Sequence, residues 1–183
     1  MAITDILSQV CYLYAKIGGS WVNLGTTSEQ GTNLGCDPET TRINSSQKPQ
    51  PADILGGKMY IELQAELLEV NMNTMMAAFP GITIATSAAG SGFKASIGEG
   101  YYPGASLRAA GYKYKMVPVE PSDDRGVFIA LGVCISPIDF IGRPDDVLRL
   151  PLTIACFEDS TETAGQKVVC ISDHASTDVT GWT

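Results

Sequence analysis

The stretch Met59-Tyr60-Ile61-Glu62-Leu63-Gln64-Ala65-Glu66-Leu67-Leu68-Glu69-Val70-Asn71-Met72-Asn73-Thr74-Met75-Met76-Ala77-Ala78-Phe79 changes period halfway along. Met59, Ile61, Leu63, Ala65 and Leu67 alternate with Tyr60, Glu62, Gln64 and Glu66. A period of two gives a strand with one apolar and one polar face. Beyond Val70, the residues Met72, Met75, Met76 and Phe79 fall at i, i+3, i+4 and i+7, one stripe of a helix. Asn71 can cap that helix by accepting from an orphan amide of its first turn. Val70 and Met75 stand at the hydrophobic-staple positions. Pro80-Gly81 ends it, because proline disfavours helical geometry in the residue before it and glycine frees the turn. So short a helix is marginal alone. It is expected to lay its methionines on a sheet, and this strand–helix unit is expected to centre the fold.

Working outward, Val10–Lys16 reads as a strand, and Gly18-Gly19 is a hairpin signal with Trp21–Leu24 as the return strand. Gly25–Gly35 reads as a polar glycine loop and Glu39–Asn44 as a further strand. Asn44–Lys58 holds Pro49, Pro51, Gly56 and Gly57 among polar residues, with Ile54-Leu55 its one small apolar patch. A long extended loop in a compact domain is uncommon. It reads either as a plain surface loop or as one that docks on another subunit with Ile54-Leu55 as the anchor.

After the helix, Ile82–Thr86 reads as a short strand and Ala88–Gly104 as an exposed Gly/Ala/Ser loop. Tyr112–Val119, Val127–Ile135, Leu148–Cys156 and Lys167–Ser172 read as strands, the second apolar on both faces. The sum is about eight strands and one short helix, with antiparallel-type connections. The expected class is mainly β: an antiparallel β-sandwich or small barrel, with one short flanking helix over about 71–79 and a long extended loop over about 44–58. One domain spans 1–183, with a polar C-terminal tail over 173–183.

Composition narrows the function. The 19 glycines and 10 prolines among 183 residues exceed the usual ~12% and suit a turn-rich β fold. Charged residues make up 17%, below the typical ~25%, as expected if some surface is covered in an assembly. A net charge of −8 opposes tight nucleic-acid binding, which works by releasing counterions to basic groups. Five cysteines cannot all pair within one chain. They read as small hydrophobes in a reducing compartment. The N-terminus reads as no secretory signal, and no run reaches the ~18 apolar residues of a membrane span.

No set of residues rises to an active site. Glu62 and Glu66 share a strand face, but four residues of strand separate them by roughly 13 Å, whereas paired glycosidase carboxylates need about 5–9.5 Å. Asp173-His174 near Ser172 lacks triad geometry as sequence neighbours. Gly90-Ser91-Gly92 and Gly98-Glu99-Gly100 lack the setting and lysine of a phosphate loop. Tyr112-Lys113-Tyr114-Lys115 interleaves base and aromatic as single-strand binders do, but at this net charge reads as a strand whose lysines pair with acidic neighbours. A zinc site would need clustered ligands, and the one histidine is His174. The expectation is a non-enzyme with no cofactor and no metal.

The order of these pieces resembles the major tail tube proteins of long-tailed bacteriophages. The resemblance lies in the early hairpin Gly19-Ser20-Trp21-Val22-Asn23-Leu24-Gly25-Thr26, the polar arm Asn44–Lys58, and Ile61–Glu69 running into the helix. Leu150-Pro151-Leu152-Thr153-Ile154-Ala155-Cys156-Phe157-Glu158-Asp159 and a closing strand complete it. The order covers nearly the whole chain, and Ala88–Gly111 stands outside it. The resemblance implies a β-sandwich with one flanking helix, six copies to a ring joined edge to edge, and rings stacked into a tube for DNA passage. It implies that the loop before the amphipathic strand bridges to the next ring, which points to Gln47, Pro49, Pro51, Asp53, Ile54 and Leu55. The alternation makes Glu62, Gln64 and Glu66 the candidates for a hydrophilic lumen face. Expected partners are further copies and other phage tail proteins, with DNA only in non-specific passage and no membrane. The expected location is the virion tail, with assembly in the host cytoplasm. The alternatives are another virion structural protein (capsid decoration or head–tail joining) or a β-sandwich module binding carbohydrate or a host surface.

Overall fold

A computed structural model describes residues 10–28, 32–44, 51–68, 71–79, 82–86, 93–96, 104, 106–119, 125–136, 149–162 and 167–173. Within them the fold is mainly antiparallel β with one short helix. The strands are β1 (Cys11–Ile17), β2 (Ser20–Thr26), β3 (Asn33–Asn44), β4 (Pro51–Leu67), β5 (Thr83–Thr86), β6 (Phe93–Ser96), β7 (Tyr112–Pro118), β8 (Arg125–Cys134), β9 (Leu150–Phe157) and β10 (Val169–Asp173). The helix α1 spans Met72–Ala78, and a turn of 3-10 helix spans Leu107–Ala110.

Eight strands form one sheet in the order β2-β1-β7-β8-β9-β4-β3, with β10 branching from β8. The branch follows from the length of β8. Its first half pairs β10 (Ile129↔Val169, Val127↔Ile171), and its second half pairs β9 (Leu131↔Phe157, Cys134↔Ile154). Gly132 sits just past the fork. A Cβ there would lie 2.6 Å from Ile154 and 2.8 Å from Tyr114, so only glycine lets the two limbs close. Leu13, Leu24, Tyr114, Met116 and Ile129 come from one limb and Leu63, Leu67, Leu150, Leu152 and Ile154 from the other. All are buried in one core. The sheet thus wraps one core without closing into a barrel. Among the described residues, the single bridge Thr27↔Leu67 ties its two ends.

The β1–β2 hairpin turns on Gly18 (φ 59) and Gly19 (φ 87), the left-handed pair that a two-residue hairpin turn requires. The helix caps as its sequence predicts. Asn71 accepts from the Thr74 amide at 3.0 Å, and Thr74 Oγ1 accepts from the Asn71 amide at 3.3 Å, a reciprocal cap. Val70 lies outside the described residues. The buried face is broader than the methionine stripe: Thr74, Met75, Ala77, Ala78 and Phe79 are buried, while Met76 is half-buried. Thr74 is there for a reason the apolar pattern misses. Its hydroxyl donates to the Leu24 carbonyl at 2.5 Å, pinning α1 to β2. From below, the Tyr114 hydroxyl donates to the Ala77 carbonyl at 2.8 Å.

Three loop expectations are corrected. Gly25 and Thr26 end β2, and Asn33–Gly35 open β3. Within Ala88–Gly104, Phe93–Ser96 is β6, paired with β5. The extended loop over 44–58 is strand from Pro51 onward, paired along Thr40–Asn44. A neighbouring strand satisfies the backbone that composition alone leaves unassigned. Pro51 opens its strand, where a missing N–H is tolerated, and Gly57 falls at a bulge, where Gly57 and Lys58 stand opposite Glu39. Asp173, the first residue of the expected tail, pairs with Arg125 as the last of β10.

Candidate assembly surface

The polar face of β4 lies on the outside of the body. Leu63, Ala65 and Leu67 are buried, Gln64 is exposed, and Glu62 and Glu66 are half-exposed. Glu62, Gln64 and Glu66 stand opposite Ala155, Thr153 and Pro151 of β9. On the other side, Glu62 and Gln64 stand opposite Gly35 and Asn33 of β3. Paired residues share a face, so the three candidates sit among small or polar neighbours. Glu66 also meets Arg149, Oε2 to Nη1 at 3.4 Å. The arrangement is a polar, net-acidic strip, with no acid–base pair aimed at a common point.

Farther out, β4 leaves the body. Its pairing with β9 begins only at Glu62, while its pairing with β3 runs from Pro51 to Gln64. Residues 51–61 and their β3 partners thus form a two-stranded ribbon. Every residue of 35–41 and of 55–60 is exposed. Leu55 is 50%, Met59 62% and Tyr60 57% exposed. Met59 belongs to the apolar alternation yet meets no core, because the core ends at Ile61. Of the arm candidates, Gln47 and Pro49 lie outside the described residues. Pro51, Asp53 and Ile54 are placed in β4 by their backbone, and Leu55 is exposed on it.

The remaining chemistry-bearing residues are absorbed by structure. Lys113 pairs with Glu162, as expected of a strand lysine with an acidic neighbour. Lys115 departs from that expectation. Its ammonium lies 4.6 Å from the Trp21 ring centre and 5.2 Å from that of Tyr14, a cation–π arrangement, and burial lowers its pKa. Trp21 in turn meets Phe128 edge-on. Burial raises the pKa of Tyr114 well above the ordinary value and pushes the Cys156 thiol up to about 12, so both stay protonated. None of the five cysteines is in a disulfide. Cys11 and Cys134 are buried, Cys156 and Cys170 half-buried, and Cys36 is exposed on the ribbon. Among the described residues no group of three or more His, Cys, Asp or Glu could hold a metal. No helix among them is long and apolar enough to cross a membrane. His174 lies outside the described residues.

The geometry therefore defines a β protein whose distinctive surface is a bare ribbon joined to a polar strip. No family model matches the sequence, and no curated protein does. Among solved structures, the chain is similar to one from the "Virion of native gene transfer agent (GTA) particle". The TM-score is 0.47 and the identity 13%, with 87% of this chain and 95% of that chain covered.

Proposed function

We propose that the chain is a structural virion protein that builds a phage tail tube: six copies to a ring, rings stacked around a lumen through which DNA passes. The observation that carries the reading is the ribbon. A lone two-stranded ribbon is marginal in water, and an exposed strand edge invites pairing with another chain. A chain that keeps about 11 residues of β4 off its own body, with apolar side chains on them, is built to be completed by another molecule. The sequence resemblance to tail tube proteins supports the same reading and makes the ribbon the bridge to the next ring. Glu62, Gln64 and Glu66 then line the lumen. A ring of six carries six times the −8 of one chain, and an acidic lining repels phosphates and lets DNA slide.

Negative-stain microscopy of the purified protein at high concentration tests this. Tubes with a central channel are the expected result. Small closed oligomers would favour a capsid-decoration or head–tail joining role instead, and a monomer at every concentration would refute the assembly reading.

A further inference from the structure

We infer that Lys16 and Lys115, gathered around Trp21 on the outer face of β1, β2 and β7, form an anion site that takes a carboxylate-bearing segment of another polypeptide. The site stands at the opposite end of the sheet order from the ribbon. Its existence does not depend on tube formation.

The strand register brings the residues together. Lys115 stands opposite Tyr14 on one side and Phe128 on the other, and Lys16 stands opposite Trp21. Tyr14 and Lys16 are two apart on β1, so these side chains share one face. Leu13 and Ala15, which alternate with them, are in the core. The floor of the site is apolar: Phe128 and Ala130 are buried, with Trp21 and Cys170 packed on them. Above it, the Lys115 ammonium is 4.6 Å from the centre of the Trp21 ring and 5.2 Å from that of Tyr14. The Lys16 ammonium is 6.0 Å from the same indole.

Two like charges thus meet over one ring, and among the described residues neither has a carboxylate beside it. Lys113 gives the contrast. It lies two residues before Lys115 on the same face, and there the chain supplies its own partner, Glu162. Lys115 is 9% exposed, and a charge so far out of water is costly unless it is compensated. The two rings offset part of that cost, while the second ammonium adds repulsion. Burial lowers the Lys115 pKa, the mark of a charge with too little compensation. A carboxylate between the two lysines removes both costs at once. Tyr14, Lys16 and Trp21 are half-buried, so the rim of the site is open to such a group.

The chemistry selects the class of ligand. A ring already covered by ammonium groups is a poor platform for stacking a base, which is how single strands are held without sequence preference. A phosphate backbone is bound by many cations along a track, and this site offers two. An acidic segment needs only a carboxylate or two to be held. The net charge of −8 does not close the site to it, because the acidic strip is distant. Glu62 and Glu66 lie on β4, three strands from β7 in the sheet order, about 14 Å along the sheet. That exceeds the ~10 Å over which charges are felt at ~0.1 M salt.

The test uses the full chain carrying Trp182→Phe, which leaves Trp21 as its one tryptophan, at a concentration where sedimentation shows monomer. The fluorescence is followed as oligo-glutamate is added, and in parallel oligo-glutamine, inorganic phosphate and single-stranded DNA. Oligo-glutamate should give a saturable change that weakens with salt, and oligo-glutamine none. Phosphate and DNA should bind at least tenfold more weakly than oligo-glutamate. Lys115→Met and Lys16→Met should each weaken oligo-glutamate binding about tenfold or more, as expected when a charged hydrogen-bonding partner is lost. Arg149→Gln, which changes the net charge equally but lies beside the strip, should stay within threefold. Thermal melting checks the fold of each variant, and the half-buried Lys16 keeps the test valid if Lys115→Met destabilises the subunit. The inference is overturned by no saturable response to oligo-glutamate, by unchanged binding in Lys16→Met, or by an equal loss in Arg149→Gln. Phosphate or DNA binding as tightly as oligo-glutamate overturns it too. Each of these results leaves the tube reading where it stood, since every measurement is made on the monomer.

Discussion

Leu55 and Leu63 are the same residue on the same strand, and they live in different molecules in all but the covalent sense. Leu63 is 1% exposed, in a core fed by both limbs of the sheet; Leu55 is 50% exposed, on a ribbon with no second layer among the described residues. The contrast extends to the neighbours. Around Leu63 the strand has β9 on one edge and β3 on the other, while around Leu55 it has β3 alone. Strand formation and burial are separate events in this chain. The backbone ladder carries on past the body, and the hydrophobic effect, the main favourable term in folding, does not follow it. What the isolated subunit leaves uncovered is then what the proposed assembly would have to cover.

Truncating the two leucines breaks or sharpens that comparison most strongly. Leu63→Ala removes buried methyl groups and leaves a cavity, at a cost of about 2–5 kcal/mol. Leu55→Ala in the free subunit should stay within about 0.5 kcal/mol, the usual range for a surface change. Urea denaturation of monomeric protein measures both. A cost at Leu55 approaching that at Leu63 would mean that the ribbon packs onto its own body, and the division drawn here would be lost.

A smaller effect is expected where the helix meets the sheet. Tyr114 is 1% exposed, and its hydroxyl donates to the Ala77 carbonyl at 2.8 Å. Tyr114→Phe keeps the ring and leaves that carbonyl without its donor, a loss of about 1–3 kcal/mol. Tyr60→Phe on the ribbon gives the matched control, because a hydroxyl there stands in water before and after. Thermal melting of the two variants should separate them clearly. Equal effects would contradict the view that only the body bears on the stability of the free subunit.

The same contrast explains what was legible in the sequence. The alternation over 61–67 and the double-sided apolar run of β8 report burial directly, and both sit where the pattern puts them. Asn71 is legible as a cap because capping is local, a matter of three residues and one amide. The ribbon is not legible from its first half. Pro51, Gly56 and Gly57 are loop residues by local preference, and the ladder with β3 that overrides them is a tertiary fact. The alternation also overshoots. Met59 continues the apolar series of Ile61 and Leu63, and periodicity carries no mark of where the core stops. The bulge is hidden for a related reason. A single extra residue reverses the faces, so reading Leu55 and Tyr60 by parity assigns them to opposite sides. Thr74 breaks the methionine stripe because its partner, the Leu24 carbonyl, lies fifty residues away. Lys115 finds two rings rather than a carboxylate because strand order, not sequence, brings Trp21 near it.

The smallest effect is expected on the polar strip itself. Arg149 and Glu66 meet at 3.4 Å with side chains 42% and 29% exposed, and an exposed ion pair of this kind contributes about 0–1 kcal/mol. Arg149→Gln should therefore alter the stability of the free subunit by less than ~0.5 kcal/mol, since water replaces the guanidinium and salt screens what remains. Its consequence is electrostatic. It removes a positive charge from beside Glu66 and leaves the strip of Glu62, Gln64 and Glu66 more negative. If the strip faces open solvent in the assembled state, the variant should assemble at the wild-type concentration, because no partner depends on that charge. If it assembles poorly with an unchanged melting temperature, Arg149 is in contact with a neighbouring copy, and the proposed lumen face stops short of Glu66.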